Sequence, residues 1–153
     1  MPTKQTSRAI RSFSGDYHFL SNSYHVDILL DGEWYPTVEH AYQAAKTNDP
    51  GERDKIRKEK TSSGAKNCGR GVQLRDGWMD NLRVQIMTEL VRQKFTSHRE
   101  LGALLLETGD AELIEGNAYG DVFWGRIFQN GSWVGKNMLG IILMQIREEL
   151  ENE

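Results

Sequence analysis

The alternation of apolar and polar positions near the start of the chain predicts a hairpin followed by a helix. Apolar side chains occupy every second position over residues 25–30, which is the period of a β-strand. Asp31-Gly32 is typical of a tight hairpin turn, and residues 33–35 form the return strand. Thr37 is suited to cap a helix that we expect over residues 38–48.

The next stretch predicts more helices, separated by breaks. Asn-Asp-Pro-Gly at residues 48–51 is a turn signal, and the charged residues 52–60 indicate a second, exposed helix. We expect Ser-Ser-Gly at residues 62–64 to end it. Apolar residues recur at every fourth position over residues 77–95, which predicts a longer helix, and the pattern repeats over 98–108.

The last third of the chain combines strands, a loop and a final helix. Residues 111–115 have the character of a strand and lead into a loop over 116–125. Asn130-Gly131 is a second hairpin signal. Asn137 can cap a helix with apolar residues at helical spacing. Hairpins mixed with four or five helices predict the α+β class, as one compact, mostly helical domain.

Composition agrees with one small globular domain in a reducing compartment. The chain has 153 residues, a length that suits a single domain over 1–153. Cys68 is the only cysteine, which excludes an internal disulfide and a cysteine-based zinc site. The chain lacks an apolar run of transmembrane length and a signal-peptide pattern at its start. We therefore expect a cytoplasmic protein without a membrane partner, with residues 1–11 as a loosely ordered arm and 151–153 as a tail.

The distribution of charge is informative, whereas its total is not. The net charge is −3, but the segment 53–70 carries seven bases and two acids, or +5. Lys4, Arg8 and Arg11 add a smaller basic arm. A basic segment favours a phosphate-bearing ligand, although it is also what a solvated helix face looks like.

One face of the helix predicted after Thr37 carries polar groups. Glu39, Tyr42 or Gln43, and Lys46 lie three, four or seven positions apart and so share that face. A carboxylate in the first turn is stabilised by the helix N-terminus, which gives Glu39 a purely structural explanation. In a cavity, desolvation would instead favour its protonated form and allow it to donate a proton.

Other segments are rich in side chains that a protein core does not need. The loop 116–125 places Asp121 among three aromatic residues and three glycines, an arrangement typical of a sugar or base pocket. Residues 13–24 interleave aromatic, hydroxyl and amide side chains, which suits either a ring-stacking site or a first strand and turn. Gly135-Lys136-Asn137 before a helix indicates an anion site, because free N–H groups point outward there. The four histidines are scattered and predict no metal site.

Taken together, these segments resemble the YbiA-like, or NADAR, family of N-glycosidases over nearly the whole chain. The matching motifs are FxGxYxFLSNxY at 13–24, YPTVEHAYQAAK at 35–46, AKxxGR at 65–70, a Trp-started helix ending in KF at 78–95, LIEGNxYGDxFWG at 113–125 and GxNxLGxxLMxIRE at 135–148. Their combination in this order is specific, although each motif alone is weak.

The resemblance implies a set of site residues. Glu39, Asp121 and Trp78 become the catalytic candidates. The secondary, substrate-binding candidates are Asn22, Lys46, Lys66, Arg70, Asn117, Trp124 and Asn137. Phe19, Ser21, Tyr42, Tyr119 and Gly125 lie in the same motifs and complete the predicted substrate-binding set.

The resemblance also implies the chemistry, which is hydrolysis of the bond between C1 of a ribose and a nitrogen. Such a reaction passes through an oxocarbenium-like state and can use two carboxylates, here Glu39 and Asp121, as acid and base in either order. Trp78 would stack and exclude water, and the Lys/Arg group would hold phosphate. The reaction requires neither a metal nor a redox cofactor.

Two substrates remain open at this stage. Family members resemble either enzymes that cleave ribosylamino-pyrimidine phosphates of riboflavin biosynthesis or antitoxins that remove ADP-ribose from guanine in DNA. The partner is therefore a small phosphorylated metabolite or an ADP-ribosylated nucleic acid, the latter in a toxin–antitoxin context. The other function classes are a non-catalytic module that binds ADP-ribose or NAD and a purely structural domain, which would leave the loop 116–125 unexplained.

Overall fold

A computed structural model describes residues 8–153 and confirms the α+β class. The helices are α1 (Val38–Ala45), α2 (Pro50–Arg57), α3 (Ser62–Arg70), α4 (Arg83–Ser97), α5 (Arg99–Glu107) and α6 (Met138–Glu151). The strands are β1 (Ala9–Ile10), β2 (Ile28–Leu30), β3 (Glu33–Tyr35), β4 (Glu112–Leu113), β5 (Ile127–Gln129) and β6 (Ser132–Val134). A 3-10 helix covers Gly15–Leu20, and an irregular, kinked turn covers Trp78–Leu82. Over residues 8–153, every helix is too short or too polar to cross a bilayer.

The chain folds as two compact units. The first, which we call the helical unit, comprises residues 22–97 and contains β2, β3 and α1 to α4. The second, the C-terminal unit, comprises residues 98–153 with the described residues 8–21. Each unit contains one of the two predicted hairpins.

The hairpin of the helical unit confirms the first turn prediction. Asp31 and Gly32 have φ values of 48° and 84°, so both central residues adopt the left-handed conformation that a two-residue hairpin turn requires. β2 and β3 pair in antiparallel fashion with Ile28 opposite Tyr35, and both of these side chains are buried. The opposite face of the hairpin, with Trp34, is exposed.

Helix α1 is the element around which the helical unit is built. The Thr37 side chain accepts a hydrogen bond from the His40 N–H at 3.0 Å, which confirms Thr37 as the N-cap. Ala41, Ala44 and Ala45 are fully buried, and these small side chains let α2, α3 and α4 pack closely against α1. The helix ends at Ala45, three residues before the predicted end, and the following Lys46 adopts the C-cap position.

Two predictions between α1 and α4 were wrong, both because turn residues also start helices. The predicted turn at 48–51 is the start of α2, where the Asp49 carboxylate accepts the Glu52 N–H at 2.8 Å and Pro50 occupies the first turn. The residues 62–64, which we expected only to end a helix, instead begin α3 behind the N-cap Thr61. The basic segment therefore covers two helices, and α2 buries Ile56 completely.

The helix predicted over 77–95 is interrupted at its start. Gly77 has a φ of 79°, and Asp80 has a ψ of −112°, which is not helical. The regular helix α4 begins only at Arg83. The irregular turn between these points buries Trp78, which is 3% exposed.

In the C-terminal unit, β1 pairs in parallel with β4. The Ile114 N–H donates to the Ile10 carbonyl at 2.9 Å, and Ile10 is buried. The predicted loosely ordered arm, residues 1–11, is thus wrong at Ala9–Ile10, because a buried apolar side chain fixes this segment as a strand. Residues 1–7, with Lys4, lie outside the described residues.

The remaining elements of the C-terminal unit follow the sequence closely. Asn130 and Gly131 have φ values of 53° and 82°, which confirms the second hairpin between β5 and β6. Helix α5 packs against α6, and α6 continues to Glu151, the first residue of the predicted tail. Leu139, Leu143 and Ile146 form the buried stripe of α6 that the apolar spacing predicted.

Candidate active site

The predicted site residues are distributed over both units. The helical unit contains Asn22, Glu39, Tyr42, Lys46, Lys66, Arg70 and Trp78. The C-terminal unit contains Phe19, Ser21, Asn117, Tyr119, Asp121, Trp124, Gly125 and Asn137. Within each unit, side chains that are far apart in sequence lie close together.

Glu39 is a buried carboxylate in the first turn of α1. It is only 9% exposed, and its backbone N–H donates to the Asn22 carbonyl at 3.0 Å. Its Oε2 accepts a hydrogen bond from Gln43 Nε2 at 2.6 Å, one helical turn further on. The carboxylate is therefore held by a neighbouring amide, and the helix fixes the direction in which it points.

Tyr42, Trp78 and Lys46 form an aromatic and cationic wall in the same unit. The Tyr42 and Trp78 rings lie 5.3 Å apart, tilted at 47°, and both side chains are buried. Lys46 Nζ lies 5.8 Å from the centre of the Tyr42 ring, within the range of a cation–π contact. Trp78 therefore supports Tyr42, and Tyr42 in turn contacts the cation.

The charges around Lys46 couple α1 to α3. Burial lowers the pKa of Lys46, the negative charge of Glu39 raises it, and the positive charges of Arg70 and Lys66 lower it further. Lys46 is thus close enough to Glu39, Lys66 and Arg70 to interact with each of them electrostatically.

Three bases of the basic segment form ion pairs, one of them with an acid outside the segment. Arg53 forms an ion pair with Asp31 at 2.7 Å, and Arg57 and Lys58 both pair with Asp54. The +5 of this segment already counts Asp54, so among these pairs only the one with Asp31 lowers it further, by one charge. Lys66 and Arg70 on α3 are the members of the segment whose charges act on Lys46.

Lys94 is a buried cation that the sequence analysis missed as a chemical group, because the helical pattern of α4 made it look like part of a core face. The side chain is 1% exposed, and its Nζ lies 5.3 Å and 5.1 Å from the centres of the Tyr24 and Phe95 rings. Burial lowers the pKa of Lys94 to about 7. The helical unit therefore holds a lysine whose charge state changes near neutral pH.

Asp121 organises the loop 116–125 of the C-terminal unit. Its Oδ1 accepts the backbone N–H groups of Phe123 at 3.0 Å and Trp124 at 2.9 Å. Asn117 closes the loop from the other side, since its amide accepts the Asp121 N–H and donates to the Asp121 carbonyl, at 3.0 and 2.9 Å. This network gives Asp121 and Asn117 a structural role, which is independent of any role toward a ligand.

The rest of the loop combines close packing with exposed aromatic surface. Gly125 is buried, and a Cβ there would overlap the Glu115 carbonyl oxygen and lie 2.8 Å from Asn117 Nδ2, so only glycine fits. The Phe123 and Trp124 rings meet edge to face at 4.8 Å. Tyr119 is 64% exposed, and its hydroxyl donates to Glu115 Oε1 at 3.3 Å.

The anion site predicted at Gly135-Lys136-Asn137 does not have the free N–H groups that suggested it. The backbone N–H groups of Lys136, Asn137, Met138 and Leu139 donate to the carbonyls of Val122, Gly125, Phe123 and Trp124, respectively. The loop 116–125 thus caps α6 with its own carbonyl oxygens, which leaves these donors occupied.

Asn137 occupies the N-cap position of α6, but its side chain does not cap the helix. Its φ is 55°, and its amide accepts the Glu115 N–H and donates to the Leu113 carbonyl, both at 2.9 Å. Because Asn137 is fully buried, these bonds tie α6 to the segment after β4. The structure therefore shows a scaffold role for this predicted binding residue.

The aromatic residues before the helical unit also belong to the scaffold. Phe19 is buried at 6% exposure, and its ring lies 6.5 Å from that of Tyr17. Ser21 is half-buried and ends the 3-10 helix by donating its backbone N–H to the His18 carbonyl. Phe19 is thus a core residue, but the first strand that we expected as the alternative for residues 13–24 is wrong, because Gly15–Leu20 form a 3-10 helix.

His40 and a surface groove lie outside the predicted chemistry. The His40 ring is fully buried between Thr37 Oγ1 at 2.7 Å and the Glu59 carbonyl at 2.9 Å.

A groove of about 540 Å³ beside β2 and α4 is lined by residues such as Leu29 and Ile86, and none of the predicted site residues lines it. The groove therefore does not mark the candidate site.

Three comparisons agree on the kinship of the chain. The family model described as "NADAR domain" matches residues 5–151. The curated N-glycosidase YbiA of Escherichia coli (strain K12) is 40% identical over 144 residues, which are 93% of this chain and 87% of that protein. The NMR structure of the E. coli protein YbiA superimposes with a TM-score of 0.77 at 36% identity, covering 99% of this chain and 94% of the other.

A further relative is named for riboflavin biosynthesis rather than as an N-glycosidase. A riboflavin biosynthesis protein of Vibrio vulnificus (strain YJ016) is 38% identical over 138 residues, which are 89% of this chain but 36% of that protein. The matching region of that protein is thus one part of a longer chain.

Proposed function

The chain belongs to the NADAR domain family and is an N-glycosidase, and we propose that it hydrolyses the C1–N bond between a phosphorylated ribose and an aminopyrimidine. The observation that carries this proposal is the arrangement in the helical unit, where a buried carboxylate lies on the same helix as a cation beside an aromatic wall. The candidate substrate is a ribosylamino-pyrimidine phosphate intermediate of riboflavin biosynthesis.

Glu39 is the proposed catalytic carboxylate. Cleavage builds positive charge at C1 and the ring oxygen of the ribose, and an adjacent carboxylate stabilises this charge. In our proposal, water adds to C1 and loses a proton to Glu39. The C–N bond breaks with its electron pair going to nitrogen, and the same proton is passed on to the released amine.

The cations beside Glu39 suit the phosphate of such a substrate. The positive charges of Lys66 and Arg70 act on Lys46, where the negative charge of Glu39 offsets only part of the repulsion, so a further anion is favourable. Arg70 is exposed and Lys66 is half-buried, so both can reach a phosphate group that arrives from solvent. The substrate thereby supplies the negative charge that this cluster of cations favours.

The names of two relatives support a metabolite as substrate. Proteins from Vibrio vulnificus and from Zea mays that match this chain are both named as riboflavin biosynthesis proteins. Three of the seven bases of the basic segment are engaged in ion pairs, which leaves fewer of them for the many separate phosphate contacts that hold a DNA substrate.

The test offers the purified protein two substrates in parallel. One is a ribosylamino-pyrimidine phosphate, and the other is DNA that carries ADP-ribose on guanine. We expect release of the free aminopyrimidine and ribose phosphate from the first, and turnover that changes little between low and high salt. Release of ADP-ribose from the second alone would overturn the metabolite assignment, and binding of either without turnover would indicate a non-catalytic module.

A further inference from the structure

The side-chain amide of Gln43 is buried beside Glu39, and the proposed reaction assigns it no role. Gln43 is 3% exposed, and its Nε2 donates to Glu39 Oε2 at 2.6 Å. Its carbonyl oxygen, Oε1, is buried and finds no hydrogen-bond donor among residues 8–153. An unpaired buried acceptor lowers the stability of the folded protein, so its retention beside a candidate catalytic group calls for a reason.

The Gln43 amide directs its NH2 group at the Glu39 carboxyl group. A carboxylate only accepts hydrogen bonds, so the NH2 group of Gln43 must face it and the carbonyl must face away. A protonated Glu39 has one O–H to donate. Rotation of the amide by half a turn would then present Oε1 to that O–H and release the NH2 group. The same side chain can therefore bind both protonation states of Glu39.

Gly69 on α3 leaves the space that the amide occupies. A Cβ at Gly69 would overlap Gln43 Oε1 and lie 2.7 Å from Gln43 Cδ, so any other residue there would displace the amide. Gly69 is itself buried, and α1 packs directly against α3. The position of the amide thus depends on contacts from two helices.

We propose that Gln43 is a positioning residue, which keeps the Glu39 carboxyl group in one orientation before and after Glu39 takes up a proton. This inference rests on the proposed function, in which Glu39 takes up and passes on a proton during each turnover. Gln43 Oε1 accepts a hydrogen bond from the O–H of Glu39 during the part of the cycle in which Glu39 is protonated. Gln43 acts through Glu39 and need not contact the substrate.

The test combines kinetics with two pairs of matched variants. Gln43→Met keeps the length of the side chain but removes both amide groups, and Gln85→Met makes the same change at an exposed position of α4. Gly69→Ala displaces the amide, whereas Gly71→Ala adds a Cβ whose nearest neighbour is 3.8 Å away. We expect Gln43→Met and Gly69→Ala to lower kcat roughly 10- to 100-fold with KM changed less than about threefold. The two control variants should match the wild type.

A second measurement does not depend on turnover. In wild-type protein, the side-chain NH2 signals of Gln43 should exchange slowly with solvent and shift when Glu39 is replaced in Glu39→Ala. Gln43 NH2 signals that do not shift in Glu39→Ala, or a Gln43→Met variant with wild-type kcat, would overturn the positioning role. If the wild type releases no base while the NH2 signals respond to Glu39→Ala, the proposed function fails and the contact between the two side chains stands.

Discussion

The two candidate carboxylates, Glu39 and Asp121, are held by the protein in different ways. Glu39 lies on a helix, is nearly inaccessible and accepts a hydrogen bond from the side chain of Gln43. Asp121 lies in a loop, is half-buried and accepts two backbone N–H bonds. Backbone donors fold the loop, whereas the side-chain donor of Gln43 is not needed to form α1. A purely structural explanation therefore covers Asp121 better than Glu39.

The variant Glu39→Gln tests the helical carboxylate and should have the largest effect. We expect kcat to fall at least ~100-fold, because an amide can neither exchange the proton nor stabilise positive charge at C1. The melting temperature should change little, since the introduced amide can still pair with that of Gln43. Glu100→Gln, in the exposed first turn of α5, is the matched control and should retain full activity. Turnover near that of the wild type in Glu39→Gln would exclude Glu39 as acid or base.

The variant Asp121→Asn separates charge from loop geometry. Asparagine keeps an oxygen that can accept the Phe123 and Trp124 N–H groups but loses the negative charge. If Asp121 is the second catalytic carboxylate that the family motif implies, kcat should fall at least ~100-fold with an unchanged melting temperature. Asp121→Ala removes both bonds and should also lower the free energy of unfolding by about 1–3 kcal/mol. If Asp121→Asn is fully active while Asp121→Ala is unstable, the role of Asp121 is structural.

The contrast between the units extends to their buried cations and can be tested by pH. The C-terminal unit buries Arg147, whose guanidinium donates to Thr108 Oγ1 at 2.8 Å, whereas the helical unit buries Lys94 against aromatic rings. The pKa of Lys94 is about 7 in the folded protein and near 10.4 when unfolded, so the unfolded chain binds more protons between these values. Stability should therefore rise with pH above about 7, by at most about 1.4 kcal/mol per pH unit.

Lys94→Met should abolish that rise and stabilise the protein most at low pH, as denaturant unfolding at pH 6, 7, 8 and 9 would measure. Lys60→Met, at an exposed position, should leave the slope as it is. A wild-type protein whose stability is flat from pH 7 to 9 would contradict burial of a lysine with a lowered pKa.

The smallest expected effect concerns two arginines, one in each unit. Arg70 is exposed beside Lys66 and Lys46, whereas Arg126 is engaged with the Gly135 carbonyl at 3.3 Å and with Glu112 at 3.5 Å. Arg70→Gln should raise KM for the phosphorylated substrate about tenfold with kcat nearly unchanged, because it removes a charge-assisted bond to phosphate. Arg126→Gln should leave KM unchanged. An equal rise in KM in both variants would show that the phosphate does not bind specifically at Arg70 in the helical unit.

Local residue chemistry is sufficient to predict the two hairpins and the helix cap at Thr37. Both hairpins follow from Asp31-Gly32 and Asn130-Gly131, since few residue pairs adopt two left-handed conformations in a row. The cap at Thr37 follows from one hydroxyl before an apolar stripe. The start of α3 was missed because Ser-Ser-Gly favours a helix start or a loop, and only packing against α1 selects between them.

The sequence by itself determined the family, the fold class and the face of α1 that carries Glu39 and Lys46, because motif order and helical spacing are local properties. Tertiary structure decided which polar groups form hydrogen bonds within the protein and so do not bind a ligand. Asn137 and the N–H groups before α6 are occupied by backbone partners that are distant in sequence. It also decided that Gly69 meets Gln43 across two helices and that Lys94 is buried, because burial and close approach arise only when separate segments pack.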